Sequence, residues 1–249
     1  MPLIAHELLN TVVCALTGAA IFAWGIVVLR TQLRWFAAGA VIWFLGAIVL
    51  KGLAASLTFR GLHALEPHVS AAAYLALTAL HSGLLTGIFE PGTTWVAGWR
   101  FRSLAAEPAR MLAVGVGAAS GEAVFLAAIG VLQVLGKTLG PHAGPNALEH
   151  QLGGSSLNVL HALIPLIERL LAGALHIGAR VLVLSSLAHK RPAYFAYAFA
   201  LMGTVDAWAA FAKAIHLGIW TTELGFVPQA AISLAVMRWA LRPRPSTTS

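Results

Sequence analysis

The chain has 249 residues, 59% of them hydrophobic and only 10% charged, with a mean hydropathy of +0.81. A water-soluble domain carries about 25% charged residues, so this composition excludes an aqueous globular protein and indicates one integral to the cytoplasmic membrane. The net charge of +7 reads as a topology signal, and no nucleic-acid partner is implied. The lone Cys14 excludes an internal disulfide framework and any Cys-rich metal site. No basic segment precedes the first apolar run, which is long enough to span a bilayer rather than to be a cleaved signal.

About 20 apolar residues cross the hydrocarbon core as a helix. Seven runs meet that length, at about 7–29, 35–58, 69–91, 110–135, 158–187, 193–215 and 225–241. The short alternating segments of a strand barrel are not seen. The expected fold is therefore all-α, a polytopic bundle in one transmembrane domain over 1–241, followed by a mobile cytoplasmic tail at 242–249. Arg30 and Arg34 follow the first run, Arg100, Arg102 and Arg110 the third, Lys190 and Arg191 the fifth, and Arg238, Arg242 and Arg244 the last. The opposite loops hold little more than Arg60 and Lys137. This asymmetry places the N-terminus outside and the C-terminus in the cytoplasm. Trp35, Trp95, Trp99, Trp220 and Trp239 lie near run ends, as interface anchors do. The polar stretch 137–156 is the longest outer loop and contains His142, Glu149 and His150; Pro165 divides or kinks the fifth run.

Ionisable groups inside apolar runs are costly and face the bundle interior or a wet cavity. Glu122 is the clearest, sitting in Gly115-Val-Gly117-Ala-Ala-Ser-Gly121-Glu122 with no basic residue within a turn. The small residues beside it suit close helix packing. Glu90 closes the third run before Pro91, Asp206 lies in the sixth, and Glu168 and His176 are eight residues apart on one helical face. Carboxylates and an imidazole converging in a bundle core suit zinc, with one carboxylate as general base. Structural readings stand beside this one: Glu168 paired with Arg169, His176 near Arg180, Asp206 paired with Lys213, and Glu90 in the headgroup region.

The series Ser82-Gly-Leu-Leu-Thr-Gly-Ile-Phe-Glu90, then Gly115-x-Gly117 with Glu122, then Glu168-Arg-Leu-Leu with His176, then Asp206 resembles the YhfC family. Those are predicted intramembrane peptidases related to PrsW and to the CAAX-processing proteases. The resemblance covers about Trp35 to Phe211. It implies a CAAX-protease-like bundle whose catalytic centre lies in the membrane. Glu122, Glu90, His176 and Asp206 would be catalytic, His176 and Glu122 would hold zinc, and Glu168, Gly115, Gly117 and Arg180 would support them. The substrate would be a membrane-embedded protein or peptide, with the lipid bilayer as surroundings. This chain departs from the family pattern at Pro91 and Thr94, where a glutamate and a basic residue are usual. It departs again at Ala118 and Met202, where histidines are usual. Two functions follow: an active peptidase in which glutamate activates water, or a catalytically silent relative that binds a membrane partner through the same cavity.

Overall fold

Without water along the flanks, backbone N–H and C=O groups must be satisfied inside each segment, which selects helices. The computed structural model describes residues 3–139 and 159–242, and its regular elements are all helical. Helix α1 is Leu3–Leu29. Helix α2, Leu33–Trp43, continues through a π-helical stretch, Phe44–Leu50, into α3, Lys51–Leu65. There follow α4, Ala71–Arg100; α5, Pro108–Leu139; α6, Val159–Ala188; α7, Pro192–Ala214; and α8, Ile219–Ala240. The result is the expected polytopic helical membrane protein.

Among the described residues six rods are long and apolar enough to cross a membrane, with α2 and α3 together forming one of them, Leu33–His68. Helix α8 has 22 residues but is not among the six, because Glu223, Gln229 and Arg238 dilute its apolar content. One expected boundary moves: α4 continues through Pro91 to Arg100 instead of ending there. Of the two readings of the fifth run, the single helix with Pro165 inside it is the one found. A proline in a membrane helix is tolerated where nearby hydroxyls engage the backbone. In the next turn Thr93 and Thr94 donate to the carbonyls of Phe89 and Glu90, at 2.8 and 3.0 Å, while the carbonyl that Pro91 frees is that of Gly87.

Helices α5 and α6 form the centre. Buried residues make up 56% and 67% of their most apolar windows, against 17–22% in the other spans. Glycine sets this arrangement. A Cβ on Gly117 would lie 1.9 Å from the Phe36 carbonyl oxygen, and one on Gly115 would lie 2.7 Å from the Ile177 Cα. Those contacts let α2 and α6 approach α5 on two sides at backbone distance, bringing the turn that carries Glu122 between them. Around it pack Phe36, Val114, Val116, Val181 and Leu184 on one side and Leu175, Leu182, Tyr194 and Met202 on the other.

Trp95, Trp99, Trp220 and Trp239 are exposed, as anchors would be, whereas Trp35 is buried. Arg34 and Arg110 stack over the Trp35 ring at 4.5 and 5.0 Å, a cation–π arrangement that fixes it in the core. His142, Glu149 and His150, most of the outer loop and the tail from residue 243 lie outside the described residues.

Candidate functional site

Residues far apart in the chain meet in one buried polar network. On α5, Glu122 has no local basic neighbour, but α6 supplies two partners. Arg169 Nη1 donates to Glu122 Oε1 at 2.8 Å, and His176 Nε2 is in ion-pair contact with Glu122 Oε2. Arg169 also holds Glu168 through its other terminal nitrogen. The seven-residue spacing of Arg169 and His176 puts both on the α6 face turned to α5. The Glu168–Arg169 pair anticipated from adjacency exists, and the same guanidinium continues to Glu122.

Glu90 on α4 is 3% exposed, so its carboxylate is enclosed by the bundle. Arg180 Nη2 donates to its Oε2 at 3.1 Å, and Lys51 Nζ donates to its Oε1 at 3.2 Å. His176 Nδ1 lies 3.7 Å from Glu90 Oε2, so the imidazole stands between the two central carboxylates. Asp206 on α7 does not use Lys213. Its Oδ2 accepts from Lys51 at 3.2 Å and from the Thr86 hydroxyl. Packing of α4 against both α3 and α7 brings Lys51 to Asp206 and overrides the local pairing.

A cavity of about 350 Å³ opens onto this network. Its polar lining consists of Lys51, Glu90, Glu122, Glu168, Arg169, His176 and Asp206, and apolar walls come from residues such as Trp43, Phe125, Leu175, Met202 and Phe226. Gly115 and Gly117 are not in the lining; they serve the site by seating α5. Arg180 is fully buried behind the cavity.

Sequence reasoning passed over Lys51, although a lysine within the apolar run 35–58 carries the same signal as Glu122. It also passed over Glu223, just before the expected seventh run. Glu223 is buried on α8, and its Oε2 has no hydrogen-bond partner among the described residues.

A family model described as YhfC intramembrane metalloprotease matches residues 13–224. The chain belongs to the YhfC family. No curated protein and no solved structure matches it. At family level it is a membrane peptidase, with polar groups from the matched spans assembled inside the bundle.

The family's description implies a metal, and the residues present suit one poorly. Zinc takes lone pairs from imidazole, thiolate or carboxylate. Here the four oxygens of Glu90 and Glu122 already face Lys51, Arg180, Arg169 and His176. Ammonium and guanidinium groups offer no lone pair. The buried atoms of the network without a hydrogen-bond partner are Glu122 Oε2 and His176 Nδ1, which could each offer a lone pair, and Nε and Nη1 of Arg180, which call for an acceptor and not for a cation. Two lone-pair atoms are fewer than the three protein ligands of a catalytic zinc. Ala118 and Met202, where the family pattern has histidine, add no nitrogen. Among the described residues no group of three or more His, Cys, Asp or Glu is placed to hold a metal ion. This donor set does not fit zinc.

Proposed function

We propose that this YhfC member receives a segment of a membrane-embedded polypeptide in the cavity between α3 to α7 and does not hydrolyse it. The carrying observation is that every oxygen of Glu90 and Glu122 is already in contact with a cationic or imidazole group of the chain. These contacts turn both carboxylates toward the chain's own cationic groups and not toward a water in the cavity, and loss of a general base commonly removes about 10²–10⁴ in rate. Four acids (Glu90, Glu122, Glu168 and Asp206) and three permanent cations (Lys51, Arg169 and Arg180) nearly cancel within the site. A neutral guest that both donates and accepts hydrogen bonds suits such a lining, and each peptide unit does both. Glu168 and Asp206 present carboxylates at the cavity, their side chains 43% and 32% exposed, while Arg169 lines it with a guanidinium that has further N–H donors beyond its two carboxylate contacts.

The second reading keeps hydrolysis, with Glu122 as base, His176 orienting it, and Glu90 and Asp206 polarising the substrate. The contact between His176 and Glu122 on the cavity wall favours it. One assay separates the two. Purified protein is reconstituted in vesicles with quenched fluorogenic transmembrane peptides, next to Glu122→Gln. The binding reading expects equal, background-level release from both and peptide retention by both. Release by the parent protein that disappears in a normally folded Glu122→Gln would establish the hydrolytic reading instead.

The proposed orientation, N-terminus outside and C-terminus cytoplasmic, rests on the arginine asymmetry. A reporter fused after residue 249 that is active only in the cytoplasm should be active.

A further inference from the structure

Glu90, Asp206 and Thr86 come from two helices and turn oxygens toward one point. Lys51 Nζ stands at that point, 3.2 Å from Glu90 Oε1, 3.2 Å from Asp206 Oδ2 and 3.3 Å from Thr86 Oγ1. A lysine in a membrane helix ordinarily extends toward the interface. This one turns inward, and its side chain is only 25% exposed. An ammonium has three N–H donors, and here three oxygens receive them. Two carboxylates and a hydroxyl form the sort of oxygen set that a hard divalent cation takes. The π-helical stretch Phe44–Leu50 ends at the residue before Lys51, and such wide turns often occur at functional sites.

We infer that the Lys51 ammonium is a tethered cation standing where a divalent ion would bind between Glu90 and Asp206, so that this family member assembles its site without a metal. Arg180 completes the substitution on the other oxygen of Glu90. The two positive charges supplied by the chain match those of one divalent ion. They cannot dissociate, which a bound metal can.

The test counts metal and follows stability in the full-length protein in detergent. The forms compared are the parent, Lys51→Met, Lys51→Arg and the double variant Lys51→Met/Asp206→Asn. The probe is manganese(II), counted by the loss of its free-ion electron paramagnetic resonance signal; co-purified zinc is counted by elemental analysis. The parent and Lys51→Arg are expected to carry about 0.1 metal per chain or less, and their Tm should be indifferent to chelator and to manganese. Lys51→Met should melt lower and bind manganese, with Tm recovering by about 3 °C or more at saturation. The double variant, short of one carboxylate, should lose that gain. Near-stoichiometric metal in the parent, removed by chelator with a fall in Tm, would overturn the assignment. So would a folded Lys51→Met that binds no more manganese than the parent. If Lys51→Met does not fold, Lys51→Gln carries the same two readouts. Because no partner enters these measurements, peptide hydrolysis by a metal-free parent would remove the non-hydrolytic reading and leave the Lys51 assignment intact.

Discussion

The two ends of the polar network solve the same problem in different surroundings. At the Glu90 end the carboxylate side chain is 4% exposed and Arg180 beside it is 0% exposed. At the Glu122 end the carboxylate is 18% exposed and its guanidinium partner also reaches Glu168, which is 43% exposed. Burial makes the first end less tolerant: Arg180 is closed to water and has no other carboxylate among the described residues, and without it Glu90 keeps only Lys51 and the His176 imidazole. The second end opens on the cavity, so water or a guest can share its charge. The Glu90 end therefore reads as a structural clamp joining α3, α4, α6 and α7, and the Glu122 end as the surface that a guest meets.

This contrast breaks most visibly at Arg180. Arg180→Met should destabilise the fold by about 3 kcal/mol, the lower end of the cost of breaking a buried ion pair, because Lys51 still faces the other oxygen of Glu90. Unfolding in mixed micelles would measure it, and Glu90→Gln added to Arg180→Met should recover a large part. A loss equal to that of a surface substitution would show that the Glu90 end is not closed. Arg169→Met should cost less, about 1.5–3 kcal/mol, the range for hydrogen bonds to charged groups, because His176 and the cavity still serve Glu122. Equal losses at Arg169 and Arg180 would erase the distinction between the ends. The smallest effect belongs to Glu168→Gln, about 0–1 kcal/mol as for exposed ion pairs. Its larger consequence should be on peptide retention, since it alters a carboxylate that faces the cavity.

Much of the site was legible because apolar runs make charged residues conspicuous. Glu90, Glu122, His176 and Asp206 were singled out on that ground, and all four belong to one network. Their partners were another matter. Within its own helix Glu122 has no cation, yet Arg169 reaches it from 47 residues along the chain. Asp206 has Lys213 two turns away and pairs instead with Lys51, 155 residues earlier. Lys51 bears the same mark as the acids, and the reading of its run as a plain span concealed it. The boundary expected at Pro91 placed Glu90 at the end of its helix, where local proline chemistry predicts a stop, but the helix runs on to Arg100 and Glu90 lies well inside it.

Composition and hydropathy alone determined that this chain is a helical membrane protein, and they marked most of its spans, because the energetic demand to satisfy backbone groups in lipid is local. The series of short motifs likewise pointed to the family. The pairing of charges was decided only by tertiary structure. Ion pairs in a bundle depend on which helix faces meet, and the close approaches at Gly115 and Gly117 set those faces. Whether two acids converge on a metal or on a lysine is a property of that assembly, since the same carboxylates serve either cation.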